Sequence, residues 1–328
     1  MRTSTNPVPQ ENPAALQPSS SGATCVPAVA VREAHQLATA TVTELPVRAQ
    51  PQLATETTTS AQTLTPAADG ATWRKFHNHG IPEYLARRYW WAYLWSVSVW
   101  FFDHAFIINT ILFGNYYKLM RAAISRLDPA FNGRVLQITC VYGAFTPSMA
   151  ERMPNCEMHL MDVADVQLQS SRRKLRVAKG AAAAGATLSR MNAETLAYAD
   201  NSFDKVVIFF LLHELPHDAR ARALDEAMRV LRPDGQLLIA EYGEQGGTHL
   251  MHRVKFLRNT LEAMEPFLGR FRKENLAEKI RATAARAGKN VADVFQLPVF
   301  GGFYRIVDFT MKPAMQPNPA AQSRAGES

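Results

Sequence analysis

Cysteine is scarce in this chain: Cys25, Cys140 and Cys156 are the only three among 328 residues. Three cysteines cannot build a disulfide framework, and no CxxC or Cys/His spacing reads as a zinc site. A reducing compartment suits such a composition. Aromatic residues are missing from residues 1–72, so every Phe, Trp and Tyr lies from Trp73 onward. The same stretch holds thirteen Thr and eight Pro and is rich in Ala, Gln and Ser. It cannot bury enough apolar surface to offset its ordering entropy, and residues 1–72 read as a disordered extension. The stretch lacks the apolar run of a secretory signal. Arg2, Arg32 and Arg48 are too sparse for a mitochondrial presequence, and Glu11, Glu33, Glu44 and Glu56 argue against one. Residues 313–328 read as a second frayed end.

What is present is ordinary globular composition, with 47% hydrophobic and 20% charged residues. Collagen-like, coiled-coil and wholly disordered readings are excluded. The formal net charge is +7, made of −2 in the extension and +9 in the residues after it. No nucleic-acid-binding motif accompanies that charge, so nucleic acid is not expected as a partner. Residues 73–132 read as an aromatic helical subdomain. Within it, YWWAYLWSVSVWFFDHAFIINTILFGNYY (Tyr89 to Tyr117) carries twelve aromatics and four of the five tryptophans. The run is long enough to span a bilayer, but Asp103 near its middle would cost about 2.5–3.5 kcal/mol there. Trp and Tyr favour the headgroup level. Arg87, Arg88, Lys118 and Arg121 flank the run. The expectation is a pair of helices that roof an apolar pocket and touch a membrane surface, with packed helical core as the plainer alternative. A second basic stretch, His249 to Lys289, has ten Lys/Arg against four Asp/Glu; it is either a lipid-facing surface or a solvated helix face.

From residue 133 to 312 short apolar runs alternate with helical patterns. Strands are expected at Val135–Val141, Glu157–Met161, Lys205–Phe210, Gln236–Ala240 and Phe303–Val307, with a helix over Arg220–Leu231 among those between them. Such alternation predicts a mostly parallel sheet covered on both faces, with ligands outside the carboxyl ends of its strands. Four segments fall in a telling order: VLQITCVYG (135–143), Met161-Asp162, MNAETLAYADNSFDKVVIFFLLHEL (191–215) and RVLRPDGQLLIAEY (229–242). Together they resemble the class I S-adenosylmethionine-dependent methyltransferases, and most of all the quinone-ring C-methyltransferases. The fold implied is Rossmann-like α/β.

The first segment departs from that family's usual VLDxGxGxG. Gln137 replaces the acid, Thr139 and Val141 replace two glycines, Tyr142 fills another position and Gly143 remains. Glycine there lets backbone approach a ligand without a Cβ between them. The aromatic run, the ILFGNYYKL segment and the QITCVYG turn together resemble the rhodoquinone biosynthesis proteins. That resemblance implies conversion of ubiquinone to rhodoquinone, an amino group replacing a ring methoxy. It implies S-adenosylmethionine as nitrogen donor, with Mn2+ as metal. The aromatic run and its basic flanks add the expectation of a cytoplasmic protein peripherally associated with the bacterial inner membrane. The alternatives are a quinone or small-molecule methyltransferase and a non-catalytic scaffold that binds the cofactor.

Candidate cofactor contacts are Asp162, whose carboxylate can accept from ribose hydroxyls, and Gln137, Thr139, Tyr142 and Gly143 in the first turn. Asn192 and Ala193 lie where the resembled family binds adenine, and Phe209 ends the strand beside it. Cys140 is expected to face the sheet as a small hydrophobe. Candidate catalytic groups are His213 and Glu214, of which at most one is expected to face the ligand if they sit on a helix. Glu241 and Tyr242 follow the LLIA strand. Asp103 either acts or caps a helix. No metal ligand can be assigned.

Overall fold

A computed structural model of the chain describes residues 70–77, 79–245 and 265–313. The expected extension up to residue 69, the tail from residue 314 and the 249–264 part of the basic stretch lie outside the described residues. The described chain opens with short helices: α1 (Gly70–His77), α2 (Glu83–Arg88), a π-helical turn (Trp90–Leu94), α3 (Ser96–Phe102), α4 (Ala105–Ile111) and α5 (Tyr116–Ile124). The strands and helices of the α/β part then alternate. They are β1 (Arg134–Ile138), α6 (Phe145–Arg152), β2 (Glu157–Asp162), α7 (Asp165–Val177), α8 (Ala181–Ala184), β3 (Thr187–Arg190) and β4 (Phe203–Phe209). A 3-10 turn (Leu212–Glu214) leads into α9 (His217–Val230) and β5 (Leu231–Tyr242). The described chain closes with α10 (Leu268–Phe271), α11 (Leu276–Arg286), β6 (Lys289–Val299) and β7 (Tyr304–Pro313).

The strands form one seven-stranded sheet in the order β3-β2-β1-β4-β5-β7-β6. The first five are parallel, and β7 runs antiparallel between β5 and β6. This is the Rossmann-like class I methyltransferase arrangement expected from the segment order. Its centre follows from composition. Val135, Leu136 and Ile138 of β1, and Val206 to Phe209 of β4, are buried, as strands covered on both faces must be. In α9 the buried Ala219, Ala223, Leu224, Ala227 and Met228 recur at helical spacing and turn one stripe to the core. Two strands escaped the apolar-run reading. β3 is only four residues long, and β6 is an edge strand with much of its length in solvent.

The order reverses between β1 and β4, which opens a crevice at their carboxyl ends. The leading helices cover it. Leu112, Tyr116, Leu119 and Ala123 belong to the same buried cluster as the sheet, so α5 packs as part of the α/β core. Ile81, Ala86 and Leu94 join Ala164 in a satellite cluster at the start of α7. Among the described residues no helix is long and apolar enough to cross a membrane. The run from Tyr89 to Tyr117 does not form two long helices: it breaks at Trp95, at Asp103-His104 and again before Tyr116.

Candidate active site

The crevice holds a cavity lined from three sides. The carboxyl ends of β1, β2 and β4 give Thr139, Asp162 and Phe209; the leading helices give Tyr84, Tyr93 and Ile108; the β5 side gives His213, Tyr242 and Glu265.

The turn after β1 keeps the path of a glycine-rich loop without its glycines. Thr139 holds φ 70° and Gly143 φ 74°, both in the left-handed region where a Cβ is strained. Side chains hold the turn in place. Asp162 accepts from the Cys140 amide at 2.8 Å on one side. Asp103 accepts from the Gly143 amide at 2.7 Å on the other, and also takes Ser170 Oγ at 2.8 Å and Lys174 Nζ at 2.7 Å. Tyr116 Oη donates to Tyr142 O at 3.1 Å and accepts from the Phe145 amide at 2.9 Å. A Cβ on Gly143 would lie 2.6 Å from that Oη, so the phenol fills the space the glycine leaves.

Three of the expected residues therefore stand back from the cavity. Asp103 ties α3 to the turn and to α7 and is not among the lining residues. Gly143 faces Tyr116. Gln137 is fully buried; its Nε2 donates to Thr139 O at 2.8 Å and Thr146 Oγ1 at 3.0 Å, while its Oε1 has no hydrogen-bond partner among the described residues. Cys140, expected to face the sheet, lines the cavity instead, and burial pushes its thiol pKa up.

Thr139, Tyr142, Asp162, Asn192, Ala193, Phe209, His213, Glu214 and Tyr242 do line the cavity. Asp162 ends β2 and takes a second amide, that of Ala164, at 2.8 Å. Burial lifts its carboxyl pKa to about 6 despite these donors. Tyr142 Oη donates to Ala92 O at 2.6 Å and accepts from Gln167 at 3.1 Å, and its ring stacks on Tyr93 at 5.6 Å. The π-helical turn is thereby bound to the first turn of the sheet.

On the β4–β5 side lies a buried ionic chain. His213 and Glu214 sit in a 3-10 turn rather than an α-helix, and both line the cavity, against the expectation that only one would. Glu241, fully buried at the end of β5, accepts from the Leu212 amide at 2.6 Å and from the Tyr242 amide at 3.0 Å. Its Oε2 takes His213 Nδ1 at 3.0 Å. Burial alone would lower the His213 pKa; the Glu241 carboxylate overcomes that and raises it to about 9. Burial works against ionisation of Glu241 too, but the imidazolium holds its pKa below the usual range. Burial raises Glu214 to about 8, so this carboxyl is largely protonated at neutral pH. Glu214 Oε1 lies 3.8 Å from His213 Nε2 and accepts from the Tyr93 phenol. Glu265, also raised by burial, accepts from Tyr89 Oη at 2.9 Å. Arg220, fully buried in α9, locks the turn by donating to Leu212 O at 2.7 Å and Leu215 O at 2.8 Å. Tyr93 and Glu265 were not anticipated. Phenols at i and i+4 among the tryptophans were the one available signal for the first.

S-adenosylmethionine and Mn2+ fare differently against these residues. The nucleoside half of the cofactor fits: an acidic residue at the end of β2 stands beside Met161, Met191 and Ala193, which supply apolar wall. Manganese does not fit. Among the described residues no three His, Cys, Asp or Glu side chains are grouped to hold a metal ion.

Residues 135–235 match the methyltransferase domain family. The chain is 33% identical over 142 residues to the ubiquinone/menaquinone biosynthesis C-methyltransferase UbiE of Ectopseudomonas mendocina, covering 43% of this chain and 54% of that protein. It is 32% identical over 135 residues to a demethylmenaquinone methyltransferase of Lactiplantibacillus plantarum, covering 40% and 55%. The chain thus spans about half the length of the curated relatives it matches. Among solved structures, an O-methyltransferase family protein from Burkholderia thailandensis aligns with TM-score 0.48 and 14% identity over 68% of this chain and 64% of that one.

Proposed function

We propose that this chain is an S-adenosylmethionine-dependent transferase that modifies the ring of a lipid quinone. One observation carries the reading: the Asp162 carboxylate faces a cavity at the crevice where the strand order reverses. Each of its oxygens accepts one backbone amide and keeps capacity for a ribose hydroxyl. Asn192 and Ala193 border the same wall. When bound, the cofactor supplies a sulfonium methyl or a primary amine for transfer. Ile108, Leu112 and Phe210 add apolar lining suited to a quinone ring, the ring class for which the two relatives are named. Glu214 is the proton donor or acceptor we assign to the ring chemistry: it lies between Tyr93 and the His213–Glu241 pair, and burial raises its pKa to about 8.

The relatives favour methyl as the group transferred. A second reading is exchange of a ring methoxy for the cofactor's amino nitrogen, giving a rhodoquinone-type product. Gln137 favours it. The acid usual at that position is gone, and the amide that replaces it engages Thr139 and Thr146 through Nε2, so the first turn offers no carboxylate to the amino-acid end of the cofactor. The test is turnover of demethylmenaquinone, which has a free ring position, and separately of ubiquinone, with S-adenosylmethionine labelled at the methyl carbon and at the amino nitrogen, followed by mass spectrometry. Carbon label in a heavier quinone supports methyl transfer, and nitrogen label in a lighter one supports amino exchange. An unchanged quinone in the presence of bound cofactor would overturn both in favour of a scaffold.

A further inference from the structure

We propose that α3 and α4 form a docking surface for the anionic face of a lipid bilayer, placed so that the cavity mouth opens at the acyl chains. Helix α4 is the plainest evidence. Five of its seven residues are apolar, yet none is buried. Phe106 is 78% exposed, and Trp100 on α3 is 64% exposed. Trp95, Phe101, Ile111 and Phe113, on and next to these helices, are exposed as well. Apolar surface left in water on this scale marks an interaction site.

Three further observations choose the occupant. First, the surface is continuous with the cavity: Ile111 is exposed and also lines it, beside Ile108 and Leu112. Second, the charge that interrupts the aromatic run is turned inward. Asp103 is bound to Gly143, Ser170 and Lys174 and leaves no bare carboxylate on the outer face. Third, cations border the patch. On α5, Tyr116, Leu119 and Ala123 face the core, while Tyr117, Lys118 and Arg121 face solvent. Exposed Trp and Tyr beside Lys and Arg match the headgroup level of an anionic bilayer. The short helices lie on such a surface rather than through it. Docking of this kind concerns access alone, so it holds whichever group is transferred.

The test uses the full chain, without cofactor or quinone, and sedimentation with phosphatidylcholine vesicles that do or do not contain phosphatidylglycerol. Expected is co-sedimentation that is stronger with phosphatidylglycerol and weakened by salt. Phe106→Glu with Trp100→Glu should lower vesicle affinity about tenfold or more. Lys118→Glu with Arg121→Glu should abolish the preference for phosphatidylglycerol while leaving residual binding. Because Trp95 and Trp100 are exposed at and beside α3, brominated acyl chains should quench part of the emission of the unmodified chain, which needs no variant to fold. A chain that stays in the supernatant overturns the proposal. So does co-sedimentation without quenching, or glutamate variants that bind as the parent does. Loss of self-association in sedimentation velocity, with vesicle binding unchanged, would show the patch to be a contact between copies and would overturn it as well.

Discussion

The two ends of the cavity use carboxylates in opposite ways. On the β1–β2 side Asp103 and Asp162 each accept from a backbone amide of the same turn, at 2.7 Å and 2.8 Å, and hold it without the usual glycines. On the β4–β5 side Glu241 holds an imidazolium at 3.0 Å, and Glu214 beyond it is kept from ionising. One end shapes backbone; the other stores protons. The difference shows that a divergent first turn need not mean a collapsed site. The turn's conformation has passed from glycine to side-chain braces, while the ionisable chemistry sits across the cavity.

The largest expected effect breaks the proton-storing end. Glu241→Ala leaves a buried imidazolium alone and removes the acceptor of the Leu212 amide; a loss of about 3–5 kcal/mol is expected by urea unfolding. Glu241→Gln should keep the shape while lowering the His213 pKa. The pH dependence follows. The folded pKa of His213 is raised to about 9 from 6.5, so its contribution to stability is complete below 6.5 and is lost as pH rises through 9. Glu214 is raised to about 8 from 4.5. Burial favours its neutral form, so its contribution also fades with rising pH, between those two values. The parent chain should therefore lose stability from neutral pH to 9, and Glu241→Gln should flatten that slope above 6.5. A parent chain equally stable at both ends of this range would contradict the ionic chain.

At the other end Gly143→Ala drives a Cβ into the Tyr116 phenol at φ 74°. Overpacking of that kind costs about 1–3 kcal/mol. Asp103→Asn removes a charged acceptor shared by Gly143, Ser170 and Lys174, with about 1.5–3 kcal/mol expected. Both should also weaken cofactor binding, whereas Glu241→Gln should leave it nearly unchanged; calorimetric titration distinguishes them. The smallest effect belongs to Phe106→Glu, which is expected to shift stability by only about 0.5 kcal/mol because the ring is already in solvent.

Much of the sheet was legible because its central strands are continuous apolar runs. Val135–Val141 and Lys205–Phe210 fall on β1 and β4 to within a few residues. The edge strand β6 was not, since half-exposed antiparallel edges mix polar residues, and Pro298 obscures the pattern further. Asp162 and the neighbours of the second and third motifs were legible as site candidates because their strand ends fix where they sit. Asp103 was legible only as an anomaly. That its carboxylate reaches Gly143, forty residues on, is a tertiary fact. The pairing of both His213 and Glu214 with the cavity depends on a 3-10 turn that periodicity does not announce. Glu265 read as one acid in a basic stretch, and only the fold sets it against Tyr89.

A nucleoside cofactor is proposed to bind against Asp162. Calorimetric titration of S-adenosylhomocysteine into the parent chain and into Asp162→Ala tests it most directly, since it requires neither quinone nor turnover. Saturable one-to-one binding to the parent, weakened about tenfold or more in the variant, is the predicted result. Binding that is absent in the parent, or equal in both chains, would contradict it.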